Sequence, residues 1–230
     1  MRIAIHQPNY LPWPGYFKKM SMCDVFVFLD DVALNKESYT RRVKIRHPAK
    51  AHSFAWLTVP LQKIQMHHMI RELKIDRAKE WTRHHFALIE QSYGRSLGWR
   101  KNGSWIQALI SQCENEISLA DMNIFLIQEI AAKLGIKCRF LRAGDLPVSG
   151  KADRYTYALV KEVGGTTYIR GRGEQRYATS PEWASDPELT ILNIDYENER
   201  NQDRTGTWRN GYSIIDLLLM STQSPESYFG

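Results

Sequence analysis

His6 is the first side chain in this sequence placed to do chemistry. It ends the run Arg2-Ile3-Ala4-Ile5-His6 and is followed by Gln7-Pro8-Asn9-Tyr10-Leu11-Pro12-Trp13-Pro14-Gly15-Tyr16. An imidazole at a strand's end can act as a general base near neutral pH. The plain alternative is a histidine that hydrogen-bonds the next loop. Gln7 and Asn9 offer amide donors and acceptors, enough to orient a polar ligand. Tyr10, Trp13 and Tyr16 offer flat faces to a sugar or base ring, although aromatics beside turns also fill cores. A second candidate is Asp30-Asp31, which follows the apolar run Val25–Leu29. Adjacent carboxylates can bind a divalent metal, take a hydroxyl proton or pair with an arginine. Successive strand residues point to opposite faces, so one of the two faces any cleft. Arg42 and Lys44, in the basic run that follows, can neutralise these carboxylates or hold a phosphate.

Other candidates are weaker. His67-His68 lies in a polar stretch, and His84-His85 lies on a helix where neighbours do not share a face. Neither pair has zinc-ligand spacing, so no metal site is indicated. Gly171-x-Gly173 follows a strand, as phosphate cradles do, but it lacks the longer glycine fingerprint. There is no P-loop, no Gly-x-Ser-x-Gly elbow and no Cys-x-x-Cys. The three cysteines, Cys23, Cys113 and Cys138, are an odd count without metal spacing and read as buried, inert thiols.

The elements that must position these residues follow from the hydrophobic pattern. Arg2–His6 alternates like a strand, and Gly15–Met22 suits a short helix. Val25–Leu29 is apolar throughout, the pattern of a strand buried on both faces of a parallel sheet. Tyr39–Arg46 and Phe54–Leu61 read as a hairpin with His47-Pro48 starting its turn. From Lys79 the period becomes helical through Trp81, Leu88, Ile89 and Tyr93, with Asp76 near the start and Gly94 at the stop. Two more helices are expected over Ser104–Glu116 and Ala120–Leu134, the latter closed by Gly135. Lys137–Leu141 reads as a strand and Lys151–Val163 as a helix closed by Gly164-Gly165. Thr166–Ile169 and Leu189–Ile194 read as strands, and Ser213 caps a helix over Ile214–Met220. Residues 199–211 form a polar loop that could serve as a lid. The alternation at both ends predicts a single α/β domain over 1–230. It would have a mostly parallel sheet, flanking helices and a helical insertion near 76–134. In such sheets ligands bind outside the carboxyl ends of the strands, where His6 and Asp30 fall.

Bulk properties bound the function. The chain has 230 residues, 43% of them hydrophobic, 24% charged and 11% aromatic, the profile of an ordinary globular protein. No apolar run is long enough to span a membrane and no signal peptide opens the chain, so a cytoplasmic location is expected. The net charge is +6. The excess gathers at Arg41–Arg46, at Arg95–Lys101 and at Arg170–Arg176. Such clusters suit phosphates, or else form a solvated basic face. Nothing matches a nucleic-acid-binding module by motif.

The block Ile5-His6-Gln7-Pro8-Asn9-Tyr10-Leu11-Pro12-Trp13, with Gly15-Tyr16-Phe17 and Lys19, resembles the opening of WbqC-like proteins. Asp24–Asp31 is similar to the family's second block. Lys36, Ser38, Tyr39, Arg42 and Ile45 fit a third, where Trp would be expected for Tyr39 and Asn for Arg41 and Val43. Trp56-Leu57-Thr58-Val59-Pro60 fits a fourth. Tyr168-Ile169, Gly171, Tyr177 and Ser213-Ile214-Ile215-Asp216-Leu217-Leu218 fit the C-terminal half. Arg170 stands where a small residue would be expected, and Met220-Ser221 replaces an expected Asn and a glycine-containing end. The resemblance implies a bacterial protein of surface-polysaccharide (O-antigen) or specialised-metabolite clusters. It implies a small transferase moving an acyl or aminoacyl group onto an amine. His6 would then be the base, and Asp30 would orient it or hold the acceptor. Gln7, Asn9, Tyr10, Tyr16, Asp31, Arg42, Lys44 and Tyr168 would bind substrate, a nucleotide-activated sugar or a carrier-bound acyl group. No cofactor is named by these residues. The alternative is a non-catalytic binding protein for a nucleotide-sugar or a carrier protein.

Overall fold

The structure is a computed structural model that describes residues 1–35, 38–50, 53–63, 68–171, 180–194 and 211–229. The chain divides into two compact units. The first is Met1–Gln7, Gly15–Asp30 and Ile136–Arg204; the second is Pro8–Pro14, Asp31–Gly135 and Thr205–Gly230.

The first unit is built on a five-stranded parallel sheet. Its strands are β1 (Arg2–His6), β2 (Val25–Phe28), β5 (Arg139–Arg142), β6 (Thr167–Gly171) and β7 (Thr190–Ile194), in the order β5-β2-β1-β6-β7. All four pairings are parallel. Chain order therefore runs outward from β1 through β2 to β5, then returns across β1 to β6 and β7. This is the doubly wound pattern, and the order reverses between β1 and β6. The central position explains the composition of β1 and β2. Ile3, Ala4 and Ile5 are buried, as are all four residues of β2, so between the exposed Arg2 that opens β1 and the polar residues at the strand ends every position is apolar. Among the described residues this unit has the α-helices α1 (Pro14–Ser21, less its first residue), α5 (Ala152–Glu162) and α6 (Pro181–Ser185).

The second unit holds the expected hairpin, β3 (Arg42–Arg46) and β4 (Phe54–Thr58), antiparallel with Lys44 opposite Trp56 and Arg46 opposite Phe54. It also holds the expected helical segment, as α2 (Trp81–Tyr93), α3 (Trp99–Gln112) and α4 (Leu119–Lys133), and ends in α7 (Ile214–Met220). Ser118 caps α4 by accepting from the Asp121 N–H, and Ser213 caps α7 by accepting from the Ile215 N–H. Gly135 follows α4 with φ of 69°, a backbone state that glycine adopts without steric cost.

The parallel sheet and α/β class agree with the expectation from sequence. Some boundaries differ. Helix α3 begins at Trp99, five residues before the expected Ser104, because Gly103 does not break it. A Cβ at Gly103 would come within 2.8 Å of the Trp99 ring, so the glycine makes room for an indole one turn back. Strand β5 continues past Leu141 to Arg142. Helix α6 was not expected at all. The lid-like stretch 199–211 lies outside the described residues up to 210, as does the loop beyond Gly171.

Candidate functional site

In the first unit, the carboxyl end of β1 is the site candidate, because it borders the reversal point of the sheet. His6 is half-buried there, opposite Phe28 of β2. Its Nδ1 lies 3.1 Å from the Gln7 carbonyl oxygen, and its ring meets Tyr16 edge-on with centroids 4.8 Å apart. A carbonyl oxygen can only accept, so Nδ1 carries the proton and the basic lone pair sits on Nε2. The Tyr16 hydroxyl donates to the same Gln7 oxygen at 3.1 Å, and Tyr16 itself is buried. The local hydrogen bond foreseen for His6 thus exists, and it fixes the tautomer that a base needs.

Lys19 supports the same strand end. It is 3% exposed, and its ammonium donates to the Ile5 carbonyl at 2.7 Å. It also lies 5.8 Å from the Tyr168 ring centroid. Reasoning from residue types gave Lys19 no role. The available signal was its spacing, since Lys19 falls between the buried Tyr16 and Met20 on the inward face of α1.

Asp30 is 1% exposed and fully engaged. Its Oδ2 accepts from Arg142 Nε at 2.7 Å, and its Oδ1 accepts from the Gly144 N–H at 3.1 Å. The partner is therefore an arginine at the carboxyl end of β5, which sequence reasoning did not name. A buried carboxylate held by a guanidinium and a backbone amide is a rigid fixture, and it ties the strand ends of β2 and β5 together.

Tyr168 sits mid-strand in β6, opposite Ile3. It is buried, with its ring 5.0 Å from Trp183. Arg170, nearer the carboxyl end of β6, donates through Nε to Asn193 Oδ1 at 2.9 Å. Of the discounted pair Gly171-x-Gly173, Gly171 is described and Gly173 lies outside the described residues; a Cβ at Gly171 would meet nothing within 4 Å.

The other candidates belong to the second unit. Asn9 is buried, and its Oδ1 accepts from the Thr40 hydroxyl at 3.3 Å. Asn123 of α4 binds the neighbouring backbone, donating to the Pro8 oxygen at 2.8 Å and the Thr40 oxygen at 2.7 Å. Tyr10 is wholly buried, with its hydroxyl 2.9 Å from His85 Nδ1. His85 Nε2 lies 3.2 Å from the Thr58 oxygen and donates to it, so Nδ1 accepts from Tyr10. Burial lowers the His85 pKa to about 4, so this imidazole is neutral. Asp31 is half-buried. Leu11 has φ of 42°, in the left-handed region that a branched side chain avoids.

Arg42 and Lys44 lie on an aromatic face of the hairpin. The Arg42 guanidinium is 4.7 Å from the Trp56 ring centroid. Lys44 Nζ is 4.5 Å from the Phe54 centroid and 5.3 Å from that of Trp56. Tyr39, Phe54 and Trp56 are 37%, 42% and 36% exposed. Three large exposed aromatics interleaved with two cations make a surface suited to a flat ring carrying an anionic group.

Among the described residues, no group of three His, Cys, Asp or Glu side chains is placed to hold a metal ion, and no helix is long and apolar enough to cross a membrane. No solved structure matches the chain. A protein of Mycobacterium tuberculosis, Uncharacterized protein Rv1507c, is 27% identical over 229 residues, covering 98% of this chain and 96% of that one. Residues 7–227 match the model of the WbqC-like protein family, from the Gln7 that anchors His6 to the last turn after α7, and the chain belongs to that family.

Proposed function

We propose that the protein is a transferase whose chemistry takes place at the carboxyl end of β1. It moves an acyl or aminoacyl group onto an amine of an activated sugar or small metabolite. The setting is bacterial surface-polysaccharide or specialised-metabolite biosynthesis, which the family resemblance suggests. The observation that carries this reading is His6, at the reversal point of a doubly wound sheet with its Nδ1 proton committed to the Gln7 oxygen. Nε2 then takes the proton from the acceptor nitrogen as its bond to the acyl carbon forms and the donor's leaving group departs. Such help is worth roughly 10²–10⁴-fold. Asp30, held by Arg142 and the Gly144 N–H, fixes the ends of β2 and β5 beside the end of β1, and Gln7 and Tyr16 hold the imidazole.

The test is turnover by mass spectrometry with a panel of acyl and aminoacyl donors and amino-sugar acceptors, for wild type and His6→Asn. The expected result is product with wild type and, with His6→Asn, unchanged ligand affinity but turnover reduced by a factor in the range above. Equal turnover would remove His6 as the base. A second reading draws on the hairpin face of Tyr39, Trp56, Phe54, Arg42 and Lys44, which favours a non-catalytic binder of a nucleotide-sugar or carrier protein. Tight binding of one ligand with no product from any donor would decide for that reading.

A further inference from the structure

Two thiols of the first unit have no part in the chemistry above. Cys23, buried, follows α1, and Cys138, half-buried, precedes β5. They are far apart in sequence. The sheet brings them together, because the Arg139 N–H donates to the Asp24 oxygen at 2.9 Å and extends the ladder in which Val25 pairs with Arg139. Residues 23 and 138 thus flank one rung of a parallel pair, near enough for each thiol to shift the other's acidity. The Cys23 S–H has an acceptor, the Met20 oxygen at 3.2 Å. The Lys19 ammonium, one turn earlier on α1, adds positive potential at Cys23.

We propose that Cys23 and Cys138 form a reversible dithiol–disulfide pair oxidised by a hydroperoxide, with Cys138 as the attacking sulfur and Cys23 as the resolving one. The more exposed sulfur is the one a peroxide reaches. When the Cys23 proton turns toward Cys138, it stabilises a thiolate there. That bond holds the Cys138 pKa below its ordinary value, and the same bond together with burial pushes Cys23 up. The Cys138 thiolate attacks one peroxide oxygen. The S–O bond forms, the O–O bond breaks, and the departing hydroxide leaves as water after taking a proton. Cys23, losing its proton, attacks the sulfenic sulfur. The S–S bond forms, the S–O bond breaks, and a second water leaves. The two electrons lost by the thiols reduce the peroxide, and a small dithiol reverses the change. The bridge would fasten α1, the helix whose Tyr16 and Lys19 hold the Gln7 and Ile5 carbonyls at the end of β1. Cys113 stands outside this chemistry. It lies in the second unit, its S–H reaches the Leu109 oxygen, and burial pushes its thiol up to about 12.

The experiment uses the full chain, reduced, desalted and exposed to hydrogen peroxide. It is then unfolded in urea, alkylated and mapped by mass spectrometry. Expected is the loss of two hydrogens, one alkylated thiol (Cys113), and a dithiothreitol-sensitive link between the peptides of Cys23 and Cys138. Cys23→Ser should trap a dimedone-reactive sulfenic acid on Cys138. Cys138→Ser should give neither link nor adduct, and Cys113→Ser should leave the link unchanged, with far-ultraviolet circular dichroism confirming each fold. Three alkylated thiols after peroxide, a link through Cys113, or sulfinic acid on wild-type Cys138 without a link would each overturn the proposal.

Discussion

Lowering the pH from 7 to 5 should weaken the second unit through one buried imidazole. His85 on α2 is 6% exposed and uses both ring nitrogens in its neutral form, Nε2 donating to Thr58 and Nδ1 accepting from the Tyr10 hydroxyl. A second proton would have to sit on Nδ1, where it would displace the Tyr10 donor. It would also place a charge beside the edge of Trp81, whose ring centroid is 5.1 Å away. Burial first, and then the neighbouring His84, bring the pKa down from 6.5 to about 4, against the upward pull of the Thr58 bond. Because the folded pKa is the lower one, the unfolded chain binds the extra proton between these values. Stability is therefore complete above pH 6.5 and falls as the pH drops toward 4. With each pKa unit worth about 1.4 kcal/mol, the loss from pH 7 to pH 5 is about 2 kcal/mol. Other groups titrate in the same window, so the assay is a difference. Wild type and His85→Gln are unfolded in urea at each pH. The gap in unfolding free energy between them should shrink by about 2 kcal/mol on going from pH 7 to pH 5. A gap that stays flat across this range would mean that His85 is not held neutral by its burial.

Two further outcomes are expected. Asp216 is fully buried, paired with Arg46 through contacts of 2.6 and 3.1 Å, and accepts from the Tyr93 hydroxyl at 2.9 Å. Asp216→Asn should leave Arg46 without its counter-charge and cost about 3–5 kcal/mol in urea unfolding, whereas a cost near zero would show that water replaces the carboxylate. Arg42→Ala should weaken binding of a nucleotide-sugar in fluorescence titration while changing stability by only about 1 kcal/mol, the worth of a partly exposed cation–π contact. A large stability loss with unchanged binding would make Arg42 a structural partner of Trp56 alone.

Much of the fold was legible because its strongest signals are local. The apolar runs of β1 and β2, the caps at Ser213 and Gly135 and the hairpin all declare themselves within a few residues. What stayed hidden is non-local. The one residue by which β5 outruns its apparent end is Arg142, and that residue holds Asp30. No local pattern links positions 30 and 142; only strand order does. The same holds for Cys23 and Cys138, which read as separate inert thiols until β2 and β5 lie side by side. Gly103 lies inside α3, before the expected start at Ser104, for a different reason. In isolation it lowers helix propensity by about 1 kcal/mol, but the Trp99 ring needs the space that a side chain would fill. Helix α6 is five residues long, too short for any period to show.

The opening block illustrates how one sequence feature can serve two ends. Its density of polar and aromatic residues after a strand suggested a single ligand site. In the structure those residues divide. His6 and Gln7 belong to the first unit, where they make one hydrogen-bonded pair. Asn9, Tyr10 and Leu11 belong to the second, where each has a structural partner. Thr40 takes Asn9, His85 takes Tyr10, and the Ser213 hydroxyl donates to the Leu11 oxygen at 2.8 Å. The left-handed Leu11 costs on the order of 1–3 kcal/mol and persists only where its surroundings over-determine it. The Ser213 bond and the Ile214 N–H donating to the Pro12 oxygen at 2.7 Å do so from the start of α7. Within the second unit the turn is thus fixed from both sides. Asn9 and Tyr10 are buried with partners inside the second unit, whereas His6 is half-buried at a strand end with its Nδ1 on the Gln7 carbonyl.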